Sequence, residues 1–571
     1  MKKLIAICAV VCAAALHSMA CTNLIVTKGA SKNGSAIVSY AADSHTLYGE
    51  LYHYPAAKHE KGAMRKIENW DSGKPLGYIS EAERTYNVVG NMNEHALAIG
   101  ETTFGGHDEL VDTTGIMDYG SLMYVALQRT KNAREAIKVM TDLVAQYGYH
   151  SSGESFSIVD TSEAWILEMV GKGSKTIKDA KGKPFAKGAV WVAVRIPDGY
   201  VSAHANQARI RQFPLATGKN SSISSKDMKR LLDKNVDVIY SADVVDFARA
   251  AGYYKGMDKD FSFSDAYNPV DFGGARFCDA RVWAFFNAVN NEMDAYLDYA
   301  MGHNLTNRIP LYIKPNRQLS ALDIAGFMRN HYEGTPMDMT KDFGAGAFAC
   351  PYRWRPMTWK LDSVDYLHER AIATQQTGFW FVAEARAGLP SPIAGVLWFG
   401  VDDAATSCLT PIYGSSTVVP ECFRVGNGDM LTYSPTAAFW TFNRVTNFAY
   451  LRYNAISADI IKVQQDQEQQ AQKDLFNADE VILNLYKSEP SKVQDYINNF
   501  SVKTAEQMHA RWQDLDKYLL VKFIDGNIKK EDASGFTRTP YGNAPSPIQP
   551  ELPEKYRRAI VQDNGEVLRV R

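Results

Sequence analysis

Cys21 is the residue best placed to do chemistry, because everything before it reads as a segment to be removed. Lys2 and Lys3 precede an uninterrupted apolar run from Leu4 to Leu16. Ser18-Met19-Ala20 then puts small residues at the −3 and −1 positions of a signal-peptidase site. The run is too short to cross a bilayer comfortably. Residues 1–20 are therefore expected to be a secretory signal cleaved between Ala20 and Cys21, and the mature chain to be exported, periplasmic or secreted. Cleavage would give Cys21 both a thiol and a free α-amine. Their ordinary pKa values, about 8.5 and about 7.7–8.0, are close enough for the amine to take the thiol proton near neutral pH. A nucleophile with an adjacent base is what covalent acyl transfer needs, and no separate His is then required.

The rival from another class is an exported lipoprotein that binds peptides without cutting them, since such proteins also begin on a Cys. Their cleavage box usually carries Leu at −3, where this chain has Ser18. Their Cys is usually followed by a polar tether, whereas Thr22-Asn23-Leu24-Ile25-Val26-Thr27 is β-branched and apolar and reads as a strand. Beyond the leader lie Cys21, Cys278, Cys350, Cys408 and Cys422. An odd count in an oxidising compartment fits one thiol kept free for a purpose. Cys408 and Cys422 flank a loop containing Pro and Gly and form the favoured disulfide pair, with buried free thiols as the alternative.

The net charge of −2, with no basic block, excludes nucleic acid as a partner class. No later segment is apolar enough to imply stable membrane insertion. The twelve His include no H-E-x-x-H, and there is no C-x-x-C, so neither metal nor cofactor is called for. The sequence leaves a homo-oligomer open.

Several blocks along the chain resemble one known family. They are Cys21-Thr22-Asn23-Leu24-Ile25-Val26, Gly90-Asn91-Met92-Asn93-Glu94-His95-Ala96-Leu97, Gly153-Glu154-Ser155-Phe156-Ser157, Ala203-His204-Ala205-Asn206-Gln207-Ala208-Arg209-Ile210 and Ala280-Arg281-Val282-Trp283. Together they are similar to the C69 dipeptidases, which are N-terminal-nucleophile hydrolases related to penicillin acylases and bile-salt hydrolases. The resemblance implies an α+β fold, a four-layer αββα sandwich of two antiparallel sheets. It implies a cysteine-type dipeptidase acting on small peptides through a thioester on Cys21. An amidase acting on N-acyl or bile-acid-conjugated substrates is the runner-up.

The resemblance also implies roles. Asp43 would hold the free amine of Cys21, which a carboxylate does well once that amine is protonated. Tyr40 stands where many relatives have Arg, so it would shape the pocket rather than activate the thiol as a cation. Asn206 would donate to the oxyanion, and Arg281 would lie near the catalytic Cys, with Arg276 as its competitor. The second oxyanion donor of the bile-salt enzymes aligns with Glu101-Thr102-Thr103-Phe104, where Thr103 could offer a hydroxyl. A dipeptidase needs an acid for the substrate's ammonium, and Glu101 and Glu154 are the candidates. His204 is expected to be structural.

The elements that must position these residues follow from pattern. Ile37–Tyr40, Ser155–Val159, Ala164–Val170, Ala189–Arg195 and Gly378–Ala385 read as strands. Asp160-Thr161-Ser162-Glu163 suits a hairpin turn. Asn132–Tyr147, Asp323–Tyr332, Leu475–Tyr486 and Thr504–Val521 read as helices. The expected organisation is a leader (1–20), a catalytic domain (21–455), a helical C-terminal region packed on the core (456–535) and an extended tail (536–571).

Overall fold

The computed structural model describes residues 21–571, and the expected leader lies outside the described residues. The architecture is mixed α and β, with several sheets and no barrel. Among the described residues, one large sheet has seven strands in the order Tyr312–Ile313, Val201–His204, Asn23–Val26, Ser35–Asp43, Thr377–Arg386, Gly395–Val401 and Thr410–Tyr413. The other has nine, in the order Ser222–Ser224, Val238–Tyr240, Ala189–Arg195, Ala164–Gly171, Gly153–Val159, Ala98–Gly105, Met92–Asn93, Val88–Val89 and His53–Tyr54. Pairing in these sheets is antiparallel except between Ser222–Ser224 and Val238–Tyr240, which run parallel.

Both faces of each large sheet are covered, which is why its strands read as nearly continuous apolar runs rather than strict alternations. Successive side chains still point to opposite faces. Ile25, Val38, Phe381 and Phe399 share an apolar cluster with Ile166, Val170, Val190 and Val192 of the other sheet. Leu24, Val26 and Ile37 face the other way, joining Trp283, Ile324, Leu475 and Ile497 from helices. On the far side of the nine-stranded sheet, Phe156, Trp165 and Leu167 pack with Leu122, Ile137 and Val144 from two helices.

Strands appear where the pattern put them, extended by one to three residues at several ends. The 160–163 turn closes through Asp160 N–H to Glu163 O, with Asp160 Oδ1 accepting from the N–H groups of Ser162 and Glu163. Asn132 caps the helix Ala133–Tyr147 by accepting from Glu135 N–H at 3.0 Å, and Gly148 ends it at φ 80°.

Four expectations change. The helix expected at Asp323–Tyr332 is Ala321–Met328, and Tyr332 has a left-handed φ of 64°. The two C-terminal helices are longer than their apolar stretches, Tyr453–Ser488 and Val493–Phe523. The tail is not extended throughout: Glu554–Asn564 is a helix, and Tyr556 donates to Phe343 O and stacks on its ring. The favoured Cys408–Cys422 disulfide is absent, since both are thiols. Cys408 is buried against Leu409 O, whereas Cys422 turns toward Ala505 O on the helix Val493–Phe523.

Candidate active site

The nucleophile candidate is fixed by strand register. Asn23 pairs with His204 and Leu24 with Ala203, so continuing the register by two residues sets Cys21 opposite Asn206. On the other side Ile25 pairs with Val38 and Thr22 bridges Ala41. Continued, that register puts Ala42 opposite Cys21 and Asp43 one residue beyond, on its amino side. Asp43 thus stands at the amino end of Cys21, where a freed α-amine would lie.

Arg281 clamps the other end. Its Nη1 donates to Cys21 O at 2.7 Å and to Thr22 Oγ1 at 2.8 Å, and its Nη2 donates to Ala205 O at 3.0 Å and Asn206 Oδ1 at 2.9 Å. One planar guanidinium therefore ties the main chain of Cys21 to the adjacent strand end, a geometry that suits Arg's rigid fork of donors. It is a positioning group. The competitor, Arg276, pairs with Glu369 instead. Asn206 has a left-handed φ of 64°, and its amide Nδ2 donates to Thr103 O at 2.6 Å.

Asp43 is buried. Its Oδ2 takes an ion pair from Arg370 Nη2 at 2.6 Å, and its Oδ1 accepts from Thr377 Oγ1 at 2.7 Å. Burial outweighs these partners and raises its pKa to about 6.

Cys21 is also buried. Its Sγ lies 3.5 Å from Glu101 Oε1 and 3.7 Å from Tyr40 Oη. Desolvation, then the charges of Glu101 and Asp43, push the thiol's pKa well up, against the N–H of Asp43 and the Tyr40 hydroxyl. With its amine still in a peptide bond, the thiol is held protonated.

Tyr40 donates to Glu101 Oε1 and packs edge-on against Phe379 and Phe381. Glu101 pairs across strands with Phe156, so Glu154 is its diagonal neighbour on the same face. Both carboxyls are fully buried, and burial raises both; Glu101 raises Glu154 further, well above the usual carboxylate range. Glu101 Oε2 and Glu154 Oε1 accept no N–H or O–H donor from another residue type, the arrangement of two acids sharing a proton. His204 bridges Thr102 Oγ1 and Ser157 Oγ at 2.9 and 2.7 Å, and burial lowers its pKa to about 3, so it is neutral and structural.

A cleft open to solvent lies over Cys21, Tyr40 and Asp43, walled by Trp70, Asp71, Tyr119 and Tyr124. Glu101, Thr103 and Glu154 do not line it. Thr103 gives its hydroxyl to Glu154 Oε2 at 2.9 Å, and its carbonyl accepts from Asn206 Nδ2, so it ties these two groups together. Glu101 and Glu154 are buried beside Cys21 and Thr103, outside the residues that line this cleft. Sequence reasoning missed Arg370, Thr377 and Asp71. Arg370 and Thr377 are non-local partners with no local signal, whereas Asp71 sits in Asn69-Trp70-Asp71-Ser72-Gly73, which reads only as a turn.

Residues 48–466 match the model of peptidase family C69. The chain belongs to that family. Similar proteins include one named "Probable dipeptidase" from Salmonella dublin, 24% identical over 421 residues, covering 69% of this chain and 81% of that protein. Another "Probable dipeptidase", from Latilactobacillus sakei, is 21% identical over 482 residues, covering 81% of this chain and 88% of its own. A "Dipeptidase" from Bifidobacterium longum (strain NCC 2705) is 23% identical over 361 residues, covering 56% and 60%. The C69 match begins beyond Cys21, so the case for the nucleophile rests on the register and contacts above.

Proposed function

We propose that this C69 member is a cysteine-type dipeptidase whose first mature residue is Cys21, exposed when residues 1–20 are removed on export. The names of its relatives support a dipeptide substrate. The helix–sheet–sheet–helix order of its apolar clusters supports the four-layer sandwich of N-terminal-nucleophile hydrolases. Residues 21–455 form its catalytic unit, and 456–535 pack on that unit as helices.

The observation that carries this reading is the strand frame, with Asp43 at the amino end of Cys21 and Arg281 on its carbonyl. A general acid–base group must stand within hydrogen-bond reach of the proton it moves, and an N-terminal amine meets that condition for its own thiol. The amine takes the thiol proton, and Asp43 stabilises the resulting ammonium. The thiolate attacks the peptide carbonyl, forming a C–S bond and sending the π electrons to oxygen beside Asn206. Collapse breaks the C–N bond, and the ammonium's proton goes to the leaving amino acid. The amine next deprotonates water, which attacks the thioester. The C–S bond breaks, the first amino acid leaves as its carboxylate, and the amine keeps the spare proton for the thiolate.

The contacts of Cys21 also argue against a lipid anchor. Its sulfur is turned inward onto Glu101 and Tyr40, and strand pairing begins at once. A diacylglycerol on that sulfur would have to fill the interior.

The test is N-terminal mass analysis of the exported protein together with a dipeptide panel. A free Cys21 with dipeptide hydrolysis, abolished by Cys21→Ala, is the expected result. A diacyl adduct, or hydrolysis of conjugated bile acids with none of dipeptides, overturns the reading.

A further inference from the structure

A dipeptidase must tell a free α-ammonium from an acylated nitrogen. In a dipeptide that ammonium is separated from the attacked carbonyl carbon by one Cα, so the group that holds it must share the cleft with the nucleophile. The acids lining the cleft are Asp43 and Asp71, and no Lys, Arg or His is among its described lining residues. Asp43 already carries Arg370 and Thr377. Asp71 is the acid left facing the space.

Asp71 is exposed, yet it is held in place. It sits at the tip of a hairpin formed by Met64–Glu68 and Pro75–Ser80. The hairpin is pinned to the start of the helix Tyr119–Arg129. Asp118, the N-cap of that helix, accepts from both Ser121 N–H and Trp70 N–H. Ser121 Oγ donates to Glu68 O at 3.2 Å. The Trp70 ring stacks on Tyr124 at 4.9 Å, and Gly120 leaves room for it: a Cβ there would meet Trp70 Cγ at 2.4 Å. Tyr119 Oη donates to Asp71 Oδ1 at 2.8 Å. That bond fixes one carboxylate oxygen and orients the other.

We propose that Asp71 is the recognition site for the substrate's free α-ammonium, positioned by Tyr119 and walled by Trp70, and that it confines this enzyme to peptides with an unblocked amino terminus. This rests on the dipeptidase reading above. Electrostatics favours a cation there. Partial desolvation by the surrounding cleft wall raises the Asp71 carboxyl, the Tyr119 hydroxyl lowers it, and the neighbouring Asp118 charge raises it again. An arriving ammonium offsets both raising effects. The buried Glu101–Glu154 pair adds negative potential around Tyr119.

The test compares mature wild type, Asp71→Asn and Tyr119→Phe on free dipeptides, and measures inhibition by the matching N-acetylated dipeptides. The expected result for Asp71→Asn is a KM about 10- to 100-fold higher on free dipeptides, as loss of a charge-assisted bond implies. Its kcat should change far less, and its affinity for N-acetylated dipeptides should be unchanged. Tyr119→Phe should give a smaller rise with the same selectivity, and it decides the matter if Asp71→Asn does not fold. An unchanged KM, or an equal loss toward free and acetylated peptides, overturns the proposal while wild-type dipeptide hydrolysis leaves the dipeptidase reading standing. A wild type without dipeptide hydrolysis overturns both, and the wild-type arm alone reveals it.

Discussion

Arg370 Nη2 lies 2.6 Å from Asp43 Oδ2, joining residues 327 apart in sequence at the amino end of the candidate nucleophile. Removing one partner of a buried pair leaves an uncompensated charge, which typically costs about 3–5 kcal/mol. Arg370→Met is therefore expected to lower thermal stability markedly. The double variant Asp43→Asn/Arg370→Met should recover part of the loss, because no carboxylate is then stranded. Calorimetric melts of the single and double variants check this. A double variant no more stable than Arg370→Met would show that the ion pair is not the source.

Arg281 is expected to behave as a positioning residue. Lys can reach one of its acceptors but cannot reproduce the planar fork that spans Cys21 O, Thr22 Oγ1, Ala205 O and Asn206 Oδ1. Arg281→Lys should lower kcat by about 100- to 1000-fold, the range seen when one oriented donor is lost from such a site. KM should move little, and Arg281→Met should be worse. Steady-state kinetics on one dipeptide separates this from a structural defect, which would reduce active enzyme without the graded Lys-to-Met difference.

The Asp43 pKa of about 6 sets a direction for pH. The carboxylate must be ionised to stabilise the ammonium of Cys21, and ionisation is lost as pH falls through its pKa. Activity should therefore decline on the acid side. In the proposed mature enzyme the ammonium of Cys21 would stand near Asp43 and favour the charged form, so the acid limb should fall at or below about pH 6. Arg370→Met removes a stabilising charge and should move that limb upward. A kcat/KM profile without an acid limb, or one unmoved by Arg370→Met, contradicts the assignment.

What the sequence made legible was local. The strand after Cys21 and the hairpin around Asp160 follow from β-branched composition, alternation and turn residues within a few positions. Cys21, Asp43, Asn206 and Arg281 were recognisable through blocks resembling C69 members, and the structure brings them together. Arg370, Thr377 and Asp71 were not, because they arrive from distant segments and carry no periodic signal. Glu101 and Glu154 were legible as acids beside family-like blocks, but not their burial against Cys21 and Thr103, because sequence does not show which partners a strand register brings. The long helix Tyr453–Ser488 was half hidden for a related reason. Its buried Gln464 and Glu468 bond to Ser407 O and Leu409 N–H, so polar residues interrupt the apolar spacing on an inward face.

The Glu101–Glu154 pair predicts a stability effect separable from catalysis. Burial and the Glu101 charge hold Glu154 well above the usual carboxylate range, so the folded chain keeps a proton that the unfolded chain releases. The folded state therefore binds more protons above the unfolded pKa, and stability from this group falls as pH rises. Below the unfolded pKa of about 4.3 both states are protonated and the group's contribution is fully present. Glu154→Gln retains a side chain of similar shape but cannot ionise, so it should flatten that dependence. Melting temperatures of Cys21→Ala and Cys21→Ala/Glu154→Gln, measured from pH 5 to 9, should diverge as pH rises, with the double variant the more stable at the alkaline end. Parallel curves would mean that the two carboxyls do not share a retained proton, and the same comparison with Glu101→Gln would then show whether Glu101 alone holds it against Cys21 and Tyr40.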